Sequence, residues 1–337
     1  MAKKKAKNPV ADATAPELDD AAPLLRGTVI KSGGGLYDVD VIGENGHETI
    51  VCSLRGILKK GRQIIAQPVS VGDDVAVRPL EATGADARGR RLREGFLIEV
   101  LPRRTSLSRA RFNKTAQVTM ANLDQIVVVM AMREPELNLH RLDRFLILAE
   151  ASDIGAVICL NKIDFLKKTA RKKEIEPVRA LYEELGYTVL PVSSETDEGI
   201  EEVRAALKDK ISAVLGSSGV GKSSLVNAVQ PGLHLWVGDV MEIGKGRHTT
   251  TDVSLHPLDF GGYLADTPGI KTVSLFERDE LDLAQCFPEF APLSPRCRFN
   301  NCRHDSEPGC AVRVAVEEKK IAGSRYDSYQ KMLKEDK

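Results

Sequence analysis

A glycine-rich segment that ends in lysine and serine is the strongest chemical signal in this sequence. Residues 216–223 read GSSGVGKS, directly after the apolar run 211–215. Glycines at this spacing allow backbone N–H groups to surround a phosphate, which the start of a following helix also attracts. We therefore predict a nucleoside triphosphate site in which Lys222 bridges the β- and γ-phosphates and Ser223 binds Mg²⁺. The predicted phosphate-binding residues are Gly216, Ser217, Ser218, Gly219, Val220, Gly221, Lys222, Ser223 and Ser224.

A second motif predicts that the base is guanine. The box NKID at residues 161–164 follows a buried-strand pattern at 156–160. The Asp164 carboxylate accepts hydrogen bonds from guanine N1–H and N2–H₂, which adenine does not offer. The Lys162 stem is expected to cover the base plane, and a loop after the next strand is expected to meet guanine O6. The predicted base-binding residues are Asn161, Lys162, Ile163, Asp164, Ser193 and Ser194.

A third motif, DTPG at residues 266–269, is expected to hold the magnesium ion and the γ-phosphate. It follows an apolar strand pattern, so Asp266 would hold Mg²⁺ through water while the Gly269 N–H meets the γ-phosphate. One threonine of the segment 247–252 should complete the magnesium shell, and we prefer Thr250 to either neighbouring threonine. The predicted magnesium-binding residues are Ser223, Thr250 and Asp266.

The group that orients the attacking water is less clear from the sequence. Ras-type GTPases place a glutamine directly after this third motif, where this chain has Ile270. We therefore expect slow intrinsic hydrolysis that depends on a partner or on another side chain. His248 is the nearest polar candidate for catalysis; the alternative is a loop histidine without a catalytic role.

The order of the motifs is unusual. An ordinary small GTPase runs from phosphate loop to DxxG to NKxD, whereas here the base-reading box comes first. This order predicts a circularly permuted α/β P-loop GTPase domain. The chain then leaves the domain just past Gly269, so we expect events at the γ-phosphate to move whatever follows.

Three cysteines and one histidine near the C-terminus predict a metal site. The spacing is Cys297-x4-Cys302-x-His304-x5-Cys310. Three thiolates and one imidazole complete a tetrahedral shell, so we predict one structural Zn²⁺. The alternative is that these cysteines only pack in an apolar core. We give that interpretation to the other three cysteines, Cys52, Cys159 and Cys286.

Four stretches of chain must position these residues. Residues 1–23 predict a disordered tail, either merely solvated or touching RNA through its lysines. Five short alternating runs in residues 24–105 predict an OB-fold β-barrel. The stretch from Glu81 to Glu94 is expected to be a loop on that barrel, and its arginines either contact RNA or are merely solvated. Residues 106–277 alternate strands and helices, as a permuted GTPase domain requires, and residues 278–337 predict a mostly helical zinc-binding domain.

Composition limits the possible environments. Lysine plus arginine and aspartate plus glutamate each number 48, so no global basic field indicates nucleic acid. There is no apolar run of about 18 residues and no apolar segment after the basic N-terminus. We therefore expect no membrane span, no export signal and a cytoplasmic location.

Together these motifs resemble the RsgA (YjeQ) family of bacterial small ribosomal subunit biogenesis GTPases. The resemblance covers roughly residues 24–335 and rests on NKID, GSSGVGKSS, GRHTTT, DTPG and the cysteine–histidine cluster. It implies a monomer that binds GTP and GDP and acts late in maturation of the 30S subunit. It also implies contact with 16S rRNA through the barrel and zinc domain, and hydrolysis that the subunit stimulates and that drives release. It assigns a role in hydrolysis to His248.

Three other interpretations stay open at this point. The protein could use GTP only as a structural ligand, in which case small subunits would not stimulate turnover. It could process RNA with GTP as a gate, although no second cluster of carboxylates or histidines suits nuclease chemistry. It could be an ATPase, which Asp164 argues against.

Overall fold

The computed structural model of the protein describes most of the chain. The described residues are 23–43, 46–54, 69–80, 84–85, 91–109, 117–233, 253–266 and 282–335. The strands are β1 (Leu25–Gly33), β2 (Leu36–Gly43), β3 (Gly46–Leu54), β4 (Asp74–Pro79), β5 (Gly84–Ala85), β6 (Arg91–Val100), β7 (Ser106–Arg109), β8 (Gln117–Ala121), β9 (Gln125–Ala131), β10 (Gly155–Asn161), β11 (Thr188–Pro191), β12 (Ile211–Leu215), β13 (Ser254–Pro257) and β14 (Tyr263–Asp266). The helices are α1 (Leu139–Glu150), α2 (Lys168–Glu184), α3 (Ile200–Leu207), α4 (Lys222–Val229), α5 (Ala311–Glu317) and α6 (Gly323–Glu335). None of the described helices has both the length and the apolar character that crossing a bilayer demands.

The N-terminal strands close into a five-stranded barrel. Neighbours run in the order β1, β2, β3, β6, β4, and β4 pairs again with β1. Strands β3 and β6 are parallel, while the other pairs are antiparallel. Alternate side chains point inward, and Val29, Val39, Ile50 and Leu97 are fully buried there. This confirms the predicted OB-fold barrel. The predicted tail lies outside the described residues, apart from Pro23.

The predicted arginine-rich barrel loop is in part a strand, and here the sequence interpretation was wrong. Strand β6 already begins at Arg91, and its first residues pair with the short strand β5. Its next residues pair with β3, where the Arg93 guanidinium lies 3.3 Å from Glu48. Charged residues are compatible with a strand when their backbone is paired and a cross-strand partner carries the opposite charge.

The central domain is a six-stranded sheet with helices on both faces. Strand order is β11, β10, β9, β12, β14, β13, with only β13 antiparallel to its neighbour in this set. Helices α1 and α2 cover one face and α3 and α4 the other, which gives two apolar clusters. Strand β12 comes late in the chain but lies in the middle of the sheet, as the predicted permutation requires. It follows α3 after only three residues, 208–210.

The barrel joins the central domain along the edge strand β13. Lys31 of β1 pairs with Ser254, so strand pairing continues from barrel to central sheet. Beside it, the Asp40 carboxylate accepts hydrogen bonds from the Tyr263 hydroxyl at 2.7 Å and from the His47 ring at 2.6 Å. Asp40 is almost fully buried. We call this set the barrel junction; it consists of Lys31, Asp40, His47, Ser254 and Tyr263.

The C-terminal domain is built from short 3₁₀ turns and the helices α5 and α6, which confirms its mostly helical character. Its core stacks Phe287, Phe290 and Tyr329, and Ile147 of helix α1 belongs to the same apolar cluster. Next to that core, Arg325 donates to Asp143 at 2.6 Å and to Glu289 at 2.7 Å. Tyr182 also donates to Asp143, at 2.7 Å. We call this set the module junction; it consists of Asp143, Tyr182, Glu289 and Arg325.

Candidate functional site

The predicted nucleotide-binding residues meet at one edge of the central sheet. Strands β9, β10, β11, β12 and β14 run parallel, so their carboxyl ends share that edge. Asn161 lies at the end of β10, opposite Ala131 of β9. The phosphate-loop strand β12 and β14 are in register at Ala213 and Ala265, so residue 216 and Asp266 leave the sheet side by side. This is the crevice in which open α/β sheets bind ligands.

The phosphate loop has the backbone conformation that its glycines were expected to allow. Gly216 has φ +155°, and a Cβ there would lie 2.3 Å from the Val129 carbonyl oxygen. Gly221 has φ +91° and forms the N-cap of helix α4 without a side-chain cap. The first N–H groups of that helix are therefore directed toward the loop rather than toward a capping side chain. Lys222 is buried, and its ammonium group donates to the Ser217 carbonyl at 2.7 Å.

Asn161 connects the two ends of the candidate site. Its amide nitrogen donates to the Val220 carbonyl of the phosphate loop at 3.0 Å. Its amide oxygen accepts from the Ser194 hydroxyl at 3.0 Å and from the Ser194 backbone N–H at 3.3 Å. Asn161 is only 1% exposed, so these bonds form away from water. One side chain thus holds the phosphate loop and the loop at residues 193–194 in fixed relation.

The neighbouring residues of the base-reading box are also ordered by local contacts. The Ser193 hydroxyl donates to Asp164 Oδ1 at 2.6 Å, which orients the carboxylate. Lys162 has a left-handed backbone with φ 64°, and its ammonium group donates to the Glu134 carbonyl. The same ammonium lies 5.7 Å from the centre of the Phe165 ring. Ile163 is buried and anchors the short 3₁₀ turn that follows.

A cleft of 590 Å³ opens beside these loops, a volume in the range of small-ligand sites. It lies between helices α3 and α4 and reaches the loop at 193–194. Its lining includes Ser194, Glu195, Ser224 and Asn227. Of the residues predicted to read the base, Ser194 lines this cleft.

One residue near the phosphate loop was missed by the sequence interpretation. The Arg141 guanidinium lies 3.4 Å from the Ser217 hydroxyl and adds positive charge beside the loop. Arg141 stands in the first turn of helix α1, where Asn138 caps its backbone N–H at 3.0 Å. Asn138 is a typical N-cap residue, so the start of this helix could be predicted from the sequence. No local pattern indicates that the helix begins next to the phosphate loop.

The metal-binding part of the nucleotide site is described only in part. Ser223 is exposed at the start of helix α4, and Asp266 ends β14 at the same sheet edge. A hydroxyl and a carboxylate oxygen are ligands that suit Mg²⁺. On β13, burial lowers the pKa of His256 below its ordinary value, although the charge of Asp266 opposes this shift. His248, Thr249, Thr250, Thr251, Gly269 and Ile270 lie outside the described residues.

The four predicted zinc ligands converge in the C-terminal domain. Each ligand atom lies within 4.8 Å of the other three. His304 Nδ1 is 3.6 Å from Cys297 Sγ and 3.4 Å from Cys310 Sγ. A tetrahedral zinc with bonds of about 2.1–2.3 Å separates its ligands by roughly 3.4–3.8 Å, so this cluster fits the ion. Burial raises the pKa of the Cys302 thiol to about 12, and Zn²⁺ would lower the pKa of such a group.

Surrounding groups hold the cluster in place. The second ring nitrogen of His304 lies 3.1 Å from the Ser294 hydroxyl, which leaves Nδ1 to face the thiols. Backbone N–H groups of Ala311 and Arg313 donate to the sulfurs of Cys297 and Cys310 at 3.4 and 3.5 Å. Four protein ligands would leave no open position on a bound ion, as in structural zinc sites.

Comparison with known proteins gives a consistent result. Residues 100–276 match the family model described as RsgA GTPase. The chain is 38% identical over 314 residues to the small ribosomal subunit biogenesis GTPase RsgA of Caldanaerobacter subterraneus subsp. tengcongensis, covering 93% of this chain and 96% of that protein. It is 40% identical over 318 residues to the protein of the same name from Gemmatimonas aurantiaca, covering 92% and 96%.

Solved structures show the same likeness. The crystal structure of YjeQ from Thermotoga maritima superimposes with a TM-score of 0.71 at 34% identity, covering 93% of this chain and 98% of that one. That of YloQ, described as a circularly permuted GTPase, gives 0.70 at 31% identity, covering 95% and 97%. The likeness therefore extends over barrel, central domain and C-terminal domain together.

Proposed function

This chain belongs to the RsgA family of GTPases, and from that premise we propose that it hydrolyses GTP as a late maturation factor of the 30S ribosomal subunit. It acts as a monomer in the cytoplasm, where it binds the subunit and its 16S rRNA through the barrel and the C-terminal domain. The subunit stimulates hydrolysis, and loss of the γ-phosphate contacts releases the protein.

The observation that carries the nucleotide assignment is the Asn161 side chain. It joins the phosphate loop to the loop at 193–194, and the oriented Asp164 carboxylate stands three residues away. Guanine fits this arrangement because Asp164 accepts its N1–H and N2–H₂ donors while the Ser194 region meets O6. The phosphates extend toward the first N–H groups of helix α4 and toward Lys222.

Hydrolysis requires groups around the γ-phosphate. Ser223, Thr250 and Asp266 would hold Mg²⁺, which neutralises the charge on the β- and γ-phosphates when bound. Gly269 would donate its N–H to the γ-phosphate, and His248 would act near the attacking water. Zn²⁺ on Cys297, Cys302, His304 and Cys310 would stabilise the C-terminal fold without taking part in the reaction.

A turnover assay with purified 30S subunits tests the proposal. We expect slow GTP hydrolysis by the protein alone and a clear increase in rate when subunits are added, with little turnover of ATP. Sedimentation should show tighter binding to subunits with a non-hydrolysable GTP analogue than with GDP. A rate that does not change when subunits are added would contradict the proposal.

An exchange of base specificity tests the role of Asp164 directly. The substitution Asp164→Asn replaces an acceptor by a donor, so binding of GTP should fall by about a hundred-fold or more. Xanthosine triphosphate carries an oxygen in place of the guanine amino group, so its binding should improve in the same variant. Competition binding with both nucleotides measures the exchange, and Glu195→Gln serves as a control from the same cleft. Equal loss of both nucleotides would indicate a folding defect instead.

A further inference from the structure

The start of helix α2 carries a group of lysines that the nucleotide site does not use. All four side chains are exposed. The ion pairs of this helix involve other residues, such as Arg171 with Glu198 and Arg179 with Glu183. Within the described part of the chain, no acidic group forms an ion pair with these lysines. We call the group the lysine face; it consists of Lys167, Lys168, Lys172 and Lys173.

The lysine face lowers the stability of the helix that carries it. Helix α2 begins at Lys168 with no side-chain cap and no acidic residue in its first turn. The N-terminus of a helix is its positive end, where further positive charge is unfavourable. Lys168 and Lys172 are also four residues apart, so two like charges lie next to each other. Helix stability therefore does not account for these residues.

Helix α3 of the same domain shows the ordinary arrangement. Its first turn contains Glu201 and Glu202, and its basic residue, Arg204, stands in the last turn. Charges of both signs there complement the helix dipole. The two helices of this domain thus carry opposite charges in their first turns. The positive charge at the start of α2 is a local feature, and an anionic partner would compensate it.

We propose that the lysine face binds the phosphate backbone of RNA. This inference rests on the proposed function, in which the partner is a ribosomal subunit. Lysine ammonium groups are mobile point charges that neutralise phosphates without reading bases. The helical part of the face, from Lys168 to Lys173, spans roughly 8 Å along the helix axis, enough for two or three phosphates. The RNA would then contact the GTPase domain itself, a few residues after Asp164.

An anionic membrane fits the lysine face less well than RNA. A helix that lies on a bilayer inserts an apolar face between the lipids. The apolar side chains of α2, such as Ile175 and Tyr182, are buried against the central sheet instead. The exposed side of its first two turns offers charge, and the exposed Phe165 beside it is a single ring that also lies 5.7 Å from the Lys162 ammonium, which suits a phosphate backbone better than a bilayer.

Salt-dependent binding to 30S subunits tests the proposal with a matched pair of variants. The test variant carries Lys168→Gln, Lys172→Gln and Lys173→Gln. The control carries Arg179→Gln, Lys208→Gln and Lys210→Gln, which removes three exposed cations elsewhere in the GTPase domain. We expect the test variant to lose about tenfold in affinity and its slope of log K against log salt to fall by about 2–3. The control should match the wild type in both.

Folding is checked separately, because the lysines lie outside the nucleotide site. GTP turnover without subunits should be unchanged, and the melting temperature of the test variant should stay equal or rise, since unfavourable charges have been removed. A lower melting temperature would contradict the argument from the helix dipole.

Four outcomes separate this inference from the proposed function. If the wild type binds subunits and the test variant binds with the same affinity and salt slope, the inference is overturned. If the wild type does not bind subunits, the proposed function fails. Loss of binding to a short RNA duplex by the test variant alone would then still support the lysine face. Binding of the wild type to phosphatidylglycerol vesicles, but not to RNA, would overturn it in favour of a membrane.

Discussion

The two junctions of the GTPase domain differ in what they bury and in which part of the domain they hold. At the module junction, Arg325 and Asp143 are both essentially inaccessible, and Arg325 lies 4.6 Å from the centre of the Phe287 ring. At the barrel junction, one backbone pairing links β1 to β13. Beside it, the Asp40 carboxylate contacts His47, whose side chain is 34% exposed. The C-terminal domain therefore meets the GTPase domain around buried charges, whereas the barrel meets it along the edge of one strand.

The location of each junction changes the expected mechanical coupling. The chain leaves the GTPase domain after β14, yet Arg325 of the C-terminal domain contacts Asp143 of α1 and the ring of Tyr182 of α2, both in the base-reading half. The barrel instead contacts β13 and the first residue of β14, the strand that ends at Asp266. That loss of the γ-phosphate moves the C-terminal domain stays a prediction. Because the barrel contacts the strand that ends at Asp266, we expect loss of the γ-phosphate to displace the barrel more than the C-terminal domain.

Removal of the metal should produce the largest effect and should confine it to the C-terminal domain. A strong zinc chelator is expected to unfold that domain, because structural zinc contributes directly to folding. The thiols of Cys297, Cys302 and Cys310 should then react with an alkylating reagent at pH 8. Burial raises the pKa of Cys52 and Cys159 to about 12, so these thiols stay protonated and unreactive at that pH. Mass spectrometry of the alkylated protein before and after chelation measures both groups.

A different pattern of labelling would break the comparison. If chelation exposed Cys52 of the barrel together with the three ligands, the domains would unfold as one unit. If the three ligand thiols reacted equally before and after chelation, the cluster would not hold zinc.

Loss of the buried guanidinium should give the next largest effect. The substitution Arg325→Ala leaves the carboxylates of Asp143 and Glu289 buried without a cation, which typically costs about 3–5 kcal/mol of the free energy of unfolding. Calorimetric unfolding measures the change. Replacing Arg325 by Met and Asp143 by Leu together should recover only part of the loss, because Glu289 still lacks a cation and the Tyr182 hydroxyl loses its acceptor.

The exposed ion pair beside the module junction provides the control. Arg144 pairs with Glu335, which is 43% exposed, so Arg144→Ala should change stability by about 0–1 kcal/mol. Equal effects of Arg325→Ala and Arg144→Ala would show that the buried ion pair contributes no more to stability than the exposed one.

A smaller effect than that of Arg325→Ala is expected at the barrel junction. The substitution Tyr263→Phe removes one hydrogen bond to Asp40, which keeps His47 as a partner, so the loss should be about 1–2 kcal/mol. Burial and the Asp40 charge raise the pKa of Tyr263, so its hydroxyl remains a donor throughout the physiological range. Amide hydrogen exchange should become faster in β1 and β13 and stay unchanged in α6.

A second tyrosine gives a matched control for this change. Tyr187 donates to Glu150 at 2.8 Å within the GTPase domain, away from the barrel. Tyr187→Phe should leave exchange in β1 and β13 as in the wild type. Faster exchange of these strands in both variants would indicate a general loss of stability rather than a local junction.

Strands and loops with strong local signals could be predicted from the sequence. The runs 125–131 and 211–215 coincide with β9 and β12, because strands buried on both faces are apolar throughout. The positions of the glycine-rich loop at 216–223 and of the cysteine–histidine cluster could be predicted because each motif has fixed residue types at fixed spacing. In contrast, β13 is a short edge strand with one buried residue, Leu255, and no run of residues marks it.

Features that depend on distant contacts could not be predicted. Helix α2 contains Pro177, which is unfavourable in a helix interior, so the local sequence predicts a break where the structure has a continuous helix. Arg325 and Asp143 are charged residues in a helical pattern, which normally indicates a solvated face. They are buried only because each is the partner of the other across 182 residues of sequence. No single-sequence pattern carries that information.

The three-residue connection from α3 to β12 has a consequence for the history of this domain. In the unpermuted order, the strand before the phosphate loop opens the domain and the helix after the base-reading strands closes it. The corresponding elements here are β12 and α3, and residues 208–210 suffice to join them. The two ancestral termini therefore lay side by side, as domain termini often do. A gene fusion at that point needed only a short turn, and it left new ends at which other domains could be added.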